Sequence, residues 1–143
     1  MNMLPGTMFL IDTSAAARME ANDQIHELIA NLIDRGLAAT CITLDLEAGF
    51  SARPQDVIPL HAFRTEFMIE LPVTAAVTGR AREIQGLMAK RGLHRAAGSM
   101  DLLTAAVAEI HRAIILHYDA DFEHIASITG QRHEWIAPRG SID

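Results

Sequence analysis

Apolar positions along this chain follow two spacings. Short, almost wholly apolar runs of about five residues alternate with longer segments in which apolar residues recur every three or four positions. The first short run, Met8–Asp12 (MFLID), is apolar up to a terminal acid, as expected of a strand buried on both faces of a parallel sheet. Leu37–Ile42 (LAATCI), Ile114–Tyr118 and His133–Ala137 (HEWIA) read as further strands. Glu66–Leu71 (EFMIEL), closed by Pro72, suits either a helix end or a strand, and the strand is the expectation.

The segments between these runs have helical spacing. Ile25, Leu28, Ile29, Leu32 and Ile33 fall at i, i+3, i+4, i+7 and i+8, with Asn22 or Asp23 available as N-cap and Gly36 placed to end the helix. Thr13 and Ser14 can cap a small helix over Ala15–Met19. Thr43 is expected to cap a helix from Leu44 to near Arg53, because Pro54 disfavours helical backbone in the residue before it. Val57–Thr65 is a weakly periodic helix. Thr74 opens another, in which Val77, Ala81, Ile84 and Met88 share a face and Gly92 is the stop. After a loop over Leu93–Gly98, Ser99 is the expected cap of a helix from Asp101 to Arg112, apolar through Leu102, Leu103, Ala105, Ala106, Val107 and Ile110. Asp119 or Asp121 caps a last helix, Phe122–Ile128, which stops at Gly130. Met1–Thr7, broken by Pro5 and Gly6, reads as an N-terminal extension and Arg139–Asp143 as a tail. Strands alternating with helices imply a three-layer α/β/α sandwich around a mainly parallel central sheet, built as one domain over residues 1–143.

Composition narrows the setting. Hydrophobic residues make up 50% and charged residues 21%, so the chain has the material for a real core and is not a disordered segment. Cys41 is the single cysteine, which excludes an internal disulfide and suits a reducing, cytoplasmic compartment; its apolar neighbours indicate a buried, inert thiol. No apolar run approaches the roughly 18 residues of a membrane span, and the first residues lack the basic character of a signal peptide. With 18 acids against 12 bases the net charge is −6, which argues against a broad electrostatic grip on nucleic acid. A cluster of metal-binding acids would itself contribute to that excess.

Element lengths bring acids together. A helix over Asp101–Arg112 rises roughly 18 Å at about 1.5 Å per residue, and the strand Ala113–Tyr118 returns roughly 20 Å at about 3.3 Å per residue. Asp101 and Asp119 therefore finish at the same edge. Functional groups in open parallel sheets collect at the carboxyl ends of strands. Asp12 ends the first strand, and Glu47 lies near the start of the helix after the second, so four carboxylates share one edge. Such a group repels itself unless it is protonated or neutralised, and Mg²⁺ or Mn²⁺ is the natural partner for hard oxygen donors. Taken singly, each acid is equally well explained as a helix cap. Asp121 fits that role better than Asp119, and Asp45 is expected on a solvated face.

The quoted residues carry a family resemblance. FLIDTSAAAR, TLDLEAGFSAR, KRGLHRAAGSMDLLTAA, ILHYDADFEHIA and TGQRHEWIAP, in this order and spacing, resemble PIN-domain ribonucleases of the VapC toxin type. The resemblance runs from Met8 onward and makes residues 1–7 an extension. It implies a Mg²⁺-dependent endoribonuclease, with Mn²⁺ as a possible substitute, acting as the toxin of a toxin–antitoxin pair. Its acidic quartet falls on Asp12, Glu47, Asp101 and Asp119, with Asp12 and Asp101 the most direct ligands and Thr13 or Ser14 helping to hold a carboxylate or water. It further implies an RNA substrate, a homodimer and a VapB-type antitoxin. The competing readings are a PIN nuclease of RNA processing or structured DNA, and a catalytically silent PIN-like module that binds a protein.

Other candidates have weaker grounds. Arg95, six residues before Asp101, is positioned to meet an RNA backbone, whereas Lys90 and Arg91 read as a solvated basic helix end, and His94 shares their turn. His117 is expected as a packed, hydrogen-bonded core residue and Trp135 as core. No HExxH or Cys/His cluster indicates zinc, and no P-loop or GxGxxG is present.

Overall fold

The structure is a computed structural model that describes residues 6–142. The first five residues of the expected extension Met1–Thr7, and Asp143 of the tail, lie outside the described residues. In chain order the elements are β1 (Phe9–Ile11), α1 (Thr13–Ala16), α2 (Asp23–Asp34), β2 (Ala38–Thr40), α3 (Ile42–Ser51), a 3₁₀ turn (Pro54–Asp56), α4 (Val57–Phe67), β3 (Ile69–Glu70), α5 (Ala75–Ala89), α6 (Ser99–Ile110), β4 (Ile114–His117), α7 (Asp121–Thr129) and β5 (His133–Trp135). Every strand pairing is parallel, and the order across the sheet is β3-β2-β1-β4-β5.

Alternation along the central strands divides the core into two layers. Phe9, Ile11, Ala38, Ile114 and Leu116 pack with Ala15 of α1 and Ile25, Ile29 and Leu32 of α2. Leu10, Ala39 and Ile115 face the other way, against Leu44, Val77, Ile84, Met88, Leu102, Ala105, Ala106 and Phe122. This is the expected three-layer α/β/α sandwich. Each fully buried Leu or Ile side chain contributes on the order of 1.5–3 kcal/mol. Small residues on α6 let it lie close to the sheet, since Ala105 and Ala106 are fully buried. Among the described residues, no helix is long and apolar enough to cross a membrane.

The expected end of α2 is observed. Gly36 adopts φ +69°, Gly36 N–H donates to Ile33 O (3.0 Å) and Leu37 N–H donates to Leu32 O (2.9 Å), which closes a Schellman motif. Elsewhere boundaries move. Ser99 is the first residue of α6 and Gly98 its N-cap, with no side chain capping that end. Thr43 lies inside α3, whose N-cap is Cys41, and its buried hydroxyl sits 3.1 Å from Cys41 Sγ. That helix ends at Ser51, earlier than expected, and its early start places Glu47 beyond the first turn. Helix α4 continues through Phe67 and takes the first two residues of the expected strand, leaving β3 with two residues on the sheet edge. Helix α7 is also one residue longer at each end than expected.

Candidate metal centre

From β1 the chain runs outward through β2 to β3, then returns to place β4 and β5 on the other side. The boundary between β1 and β4 is therefore the topological switch point, where the strand ends open a crevice at the carboxyl edge of the sheet. Phe9, Leu10 and Ile11 pair with Ile114, Ile115 and Leu116, so Asp12 and His117 leave their strands side by side. Asp12 N–H donates to Leu116 O at 2.9 Å, which pins the first acid to the neighbouring strand.

Asp12 is the N-cap of α1. Its Oδ2 accepts from Ser14 N–H (3.0 Å) and Ser14 Oγ–H (2.6 Å). Ser14 Oγ in turn accepts Tyr118 N–H at 2.8 Å, so a single hydroxyl ties Asp12 to the chain leaving β4. Burial pushes the Asp12 carboxyl above the usual carboxylate range, while the Ser14 hydrogen bonds oppose that shift and the charge of Asp119 adds to it.

Asp101 enters from the first turn of α6, Asp119 from just beyond β4 and Asp121 from the first position of α7. One carboxylate oxygen from each lies within 4.8 Å of the others. Asp121 N–H donates to Asp119 Oδ1 at 2.9 Å, locking the spacing of that pair. Burial, a hydrogen bond with Asp121 and the charges of Asp12, Asp119 and Asp121 push Asp101 up to about 8. A hydrogen bond between two carboxyl groups needs a proton, so in metal-free protein Asp101 holds one at neutral pH. Glu47 is raised by burial and by the charge of Asp12, which places it on the Asp12 side of the group.

The structure thus gathers Asp12, Asp101 and Asp119 around the switch point, with Glu47 reaching them through Asp12. Asp121, expected only as a cap, belongs to the tightest part of the cluster, and the N-cap of α7 is Ala120. The Asp119-x-Asp121 spacing is the signal that would have found it. Asp45 corrects a second expectation: it is buried, and its Oδ1 accepts Arg64 Nε–H (2.7 Å) and Thr40 Oγ1–H (2.7 Å). Arg64 Nη2 also donates to Thr40 Oγ1 at 2.9 Å, so this network joins β2, α3 and α4.

Arg95 is exposed in the turn between α5 and α6, with Lys90, Arg91 and His94 exposed nearby in sequence. His117 is fully buried as expected, and burial with His133 beside it lowers its pKa to about 4. Cys41 is buried, and burial raises its thiol pKa. Trp135 is only half-buried on the edge strand β5, its Nε1–H donating to Glu123 Oε1 at 2.9 Å. Beside Glu47 a cleft of about 430 Å³ runs between Thr13, Thr43, Leu46, Phe50 and Met100.

The donor set suits a hard divalent cation. It consists of carboxylate oxygens drawn together in a partly buried site, where burial first, and with it the hydrogen bond to Asp121 and their mutual repulsion, hold a proton on Asp101. A divalent cation held by these oxygens would offset the same repulsion.

Comparison with known proteins agrees with this geometry. A family model described as the PIN domain matches residues 9–128. Ribonuclease VapC21 of Mycobacterium tuberculosis is 41% identical over 136 residues, spanning 94% of this chain and 98% of the relative. Ribonuclease VapC51 of the same organism is 39% identical over 140 residues, spanning 94% and 97%. Among solved structures, VapBC2 from Rickettsia felis bound to a promoter DNA fragment superposes with a TM-score of 0.74 at 15% identity, covering 90% of this chain and 98% of that one. VapBC-1 from nontypeable Haemophilus influenzae gives 0.71 at 16% identity, covering 91% and 98%. Strand-end acids at the switch point of a five-stranded parallel sheet, together with these matches over nearly the whole length, establish that the chain belongs to the PIN-domain family of VapC ribonucleases.

Proposed function

We propose that this protein is the toxin of a toxin–antitoxin pair, a Mg²⁺-dependent endoribonuclease in which Mn²⁺ can substitute. The observation that carries the reading is the meeting of Asp101, Asp119 and Asp121 within 4.8 Å, with Asp12 coupled to them, at the switch point of the sheet. Asp12, Glu47, Asp101 and Asp119 hold the ion, with Asp121 added to the set. When bound, the ion supplies Lewis acidity toward water and toward a phosphate oxygen. The protein groups do the rest. Ser14 orients Asp12 and fixes it relative to Asp119 through Tyr118 N–H. Asp101 gives up its proton as the site fills. The exposed Arg95 presents a cation to the RNA backbone ahead of α6.

A VapB-type antitoxin and a homodimer complete the proposal, since the relatives and structural neighbours are VapC ribonucleases and VapBC assemblies. Ile42, Leu46 and Phe50 form a row on the outer face of α3, and Phe50 is 93% exposed beside the cleft that Glu47 lines. Exposed apolar surface of this kind marks an interaction site. We place the antitoxin there, where it shields the acids from RNA. The single, buried thiol of Cys41 supports the cytoplasmic setting.

The test is cleavage of a structured RNA, with flap DNA alongside, in Mg²⁺ and then in EDTA. Cleavage of RNA alone, lost in EDTA and in Asp12→Asn, is expected. Equal cleavage by wild type and Asp12→Asn would remove the assignment.

A further inference from the structure

The turn that delivers Asp119 and Asp121 to the cluster is held by a buried imidazole. His117, the last residue of β4, is completely buried, with Phe122, His133 and Trp135 around its ring at centroid distances of 5.0, 5.0 and 4.9 Å. Both of its nitrogens are engaged. Nδ1 lies 3.1 Å from Asp119 N, and Nε2 lies 2.8 Å from His133 Nδ1.

A backbone N–H can only donate, so His117 Nδ1 is the unprotonated nitrogen and Nε2 carries the hydrogen. His117 Nε2–H then donates to His133 Nδ1, which puts the His133 proton on its own Nε2. Hydrogen bonds therefore run in one direction, from Asp119 N–H through His117 to His133. His117 accepting the N–H two residues ahead reproduces the Asx-turn made by Asn or Asp side chains. The chain beyond β4 is pinned three times in succession: Tyr118 N–H by Ser14 Oγ, Asp119 N–H by His117 Nδ1 and Asp121 N–H by Asp119 Oδ1. The middle contact holds the Asp119 backbone itself where the chain leaves the strand, and so bears on where both aspartates point.

We propose that His117 is a positioning residue for the metal centre, its Nδ1 fixing the backbone of Asp119 and His133 holding the ring in the required tautomer. The inference rests on the metal-nuclease reading above, and it assigns no contact with substrate or ion to either histidine. Outer partners of metal ligands are commonly worth about 10–100-fold in affinity.

The test uses the full chain and Mn²⁺ as the probe, with binding followed by electron paramagnetic resonance rather than by activity. Asn places its Oδ1 where Nδ1 sits, whereas Gln extends toward the Nε2 position and Leu fills space only. His117→Asn is expected to bind Mn²⁺ within about 3-fold of wild type, and His117→Gln and His117→Leu to bind it about 10–100-fold more weakly. Loss in RNA cleavage should track this order. Equal binding by wild type and His117→Leu overturns this proposal alone, whereas wild type that binds no Mn²⁺ overturns the metal reading and this proposal with it. If the His117 variants fail to fold, nitrogen chemical shifts of wild type decide: an unprotonated Nδ1 on His117 is expected, and a protonated one overturns the assignment.

Discussion

Replacing Asp101 with Asn should make the metal-free protein more stable as pH rises, while weakening its response to metal. Asp101 has a folded pKa of about 8 against an ordinary value of 3.8, so folding favours its protonated form. A raised carboxyl stabilises the fold fully below pH 3.8, and that contribution is lost as pH climbs through about 8. His117 works in the opposite direction: lowered from 6.5 to about 4, it costs stability as pH falls through that interval. The two slopes offset each other between about pH 4 and 6.5, so the decline due to Asp101 emerges between pH 6.5 and about 8. One proton over that interval is worth roughly 2 kcal/mol at full effect. Solvent screening of a partly exposed carboxyl reduces this to about 1 kcal/mol, or about 2–4 °C in melting temperature. A charged pair at the 4.8 Å outer limit of the cluster gives a compatible scale, about 1 kcal/mol in water and about 3.5 kcal/mol at an effective dielectric near 20.

Asn cannot ionise, so in EDTA the stability of the variant relative to wild type should grow with pH, by about 2–4 °C between pH 6.5 and about 8. Mg²⁺ should raise the wild-type melting temperature at the higher pH, by up to about 2.7 kcal/mol of stability at 100-fold excess over the dissociation constant. The variant should gain much less. Thermal unfolding followed by circular dichroism at both pH values, with EDTA and with Mg²⁺, measures all four quantities. Parallel pH profiles for the two proteins in EDTA would refute the claim that Asp101 carries the excess proton.

Three further outcomes follow from particular contacts. Asp45→Ala leaves the Arg64 guanidinium buried without its 2.7 Å partner, and urea unfolding should show a loss of about 3–5 kcal/mol. Arg112 sits at φ +59° just beyond α6, a left-handed position where a side chain is strained, so Arg112→Gly should raise stability by about 0.5–1 kcal/mol in the same assay. Phe50→Ser removes a side chain that is 93% exposed; unfolding should shift by less than about 0.5 kcal/mol, while calorimetric affinity for the antitoxin should fall at least about 10-fold.

The layers of the fold were legible because parallel strands buried on both faces leave apolar runs such as FLI and IIL, and α2 carries an uninterrupted 3.6-residue stripe. Helix starts were harder. Ser and Thr resemble caps wherever they stand, yet Thr43 is buried within α3 and Gly98, without a side chain, precedes α6. The meeting of Asp101 and Asp119 followed from matching a helix length to a strand length, and Asp12 joined them as the acid that ends the first strand. Two acids were misjudged because each has a partner remote in the chain, although the Asp119-x-Asp121 spacing was a local sign of the second. Asp45 is buried by Arg64, 19 residues on, and Asp121 meets Asp101 across the start of α7. The histidine relay was invisible too, since His117 and His133 are joined only by the register of β4 and β5.

The central claim is that this acid cluster cuts RNA. It is tested most directly by mapping 5′ ends in total RNA treated with wild type or Asp101→Asn, in Mg²⁺ and in EDTA. Discrete new ends that require Mg²⁺ and vanish with Asp101→Asn are predicted; the same ends from the variant, or from wild type in EDTA, would contradict the account.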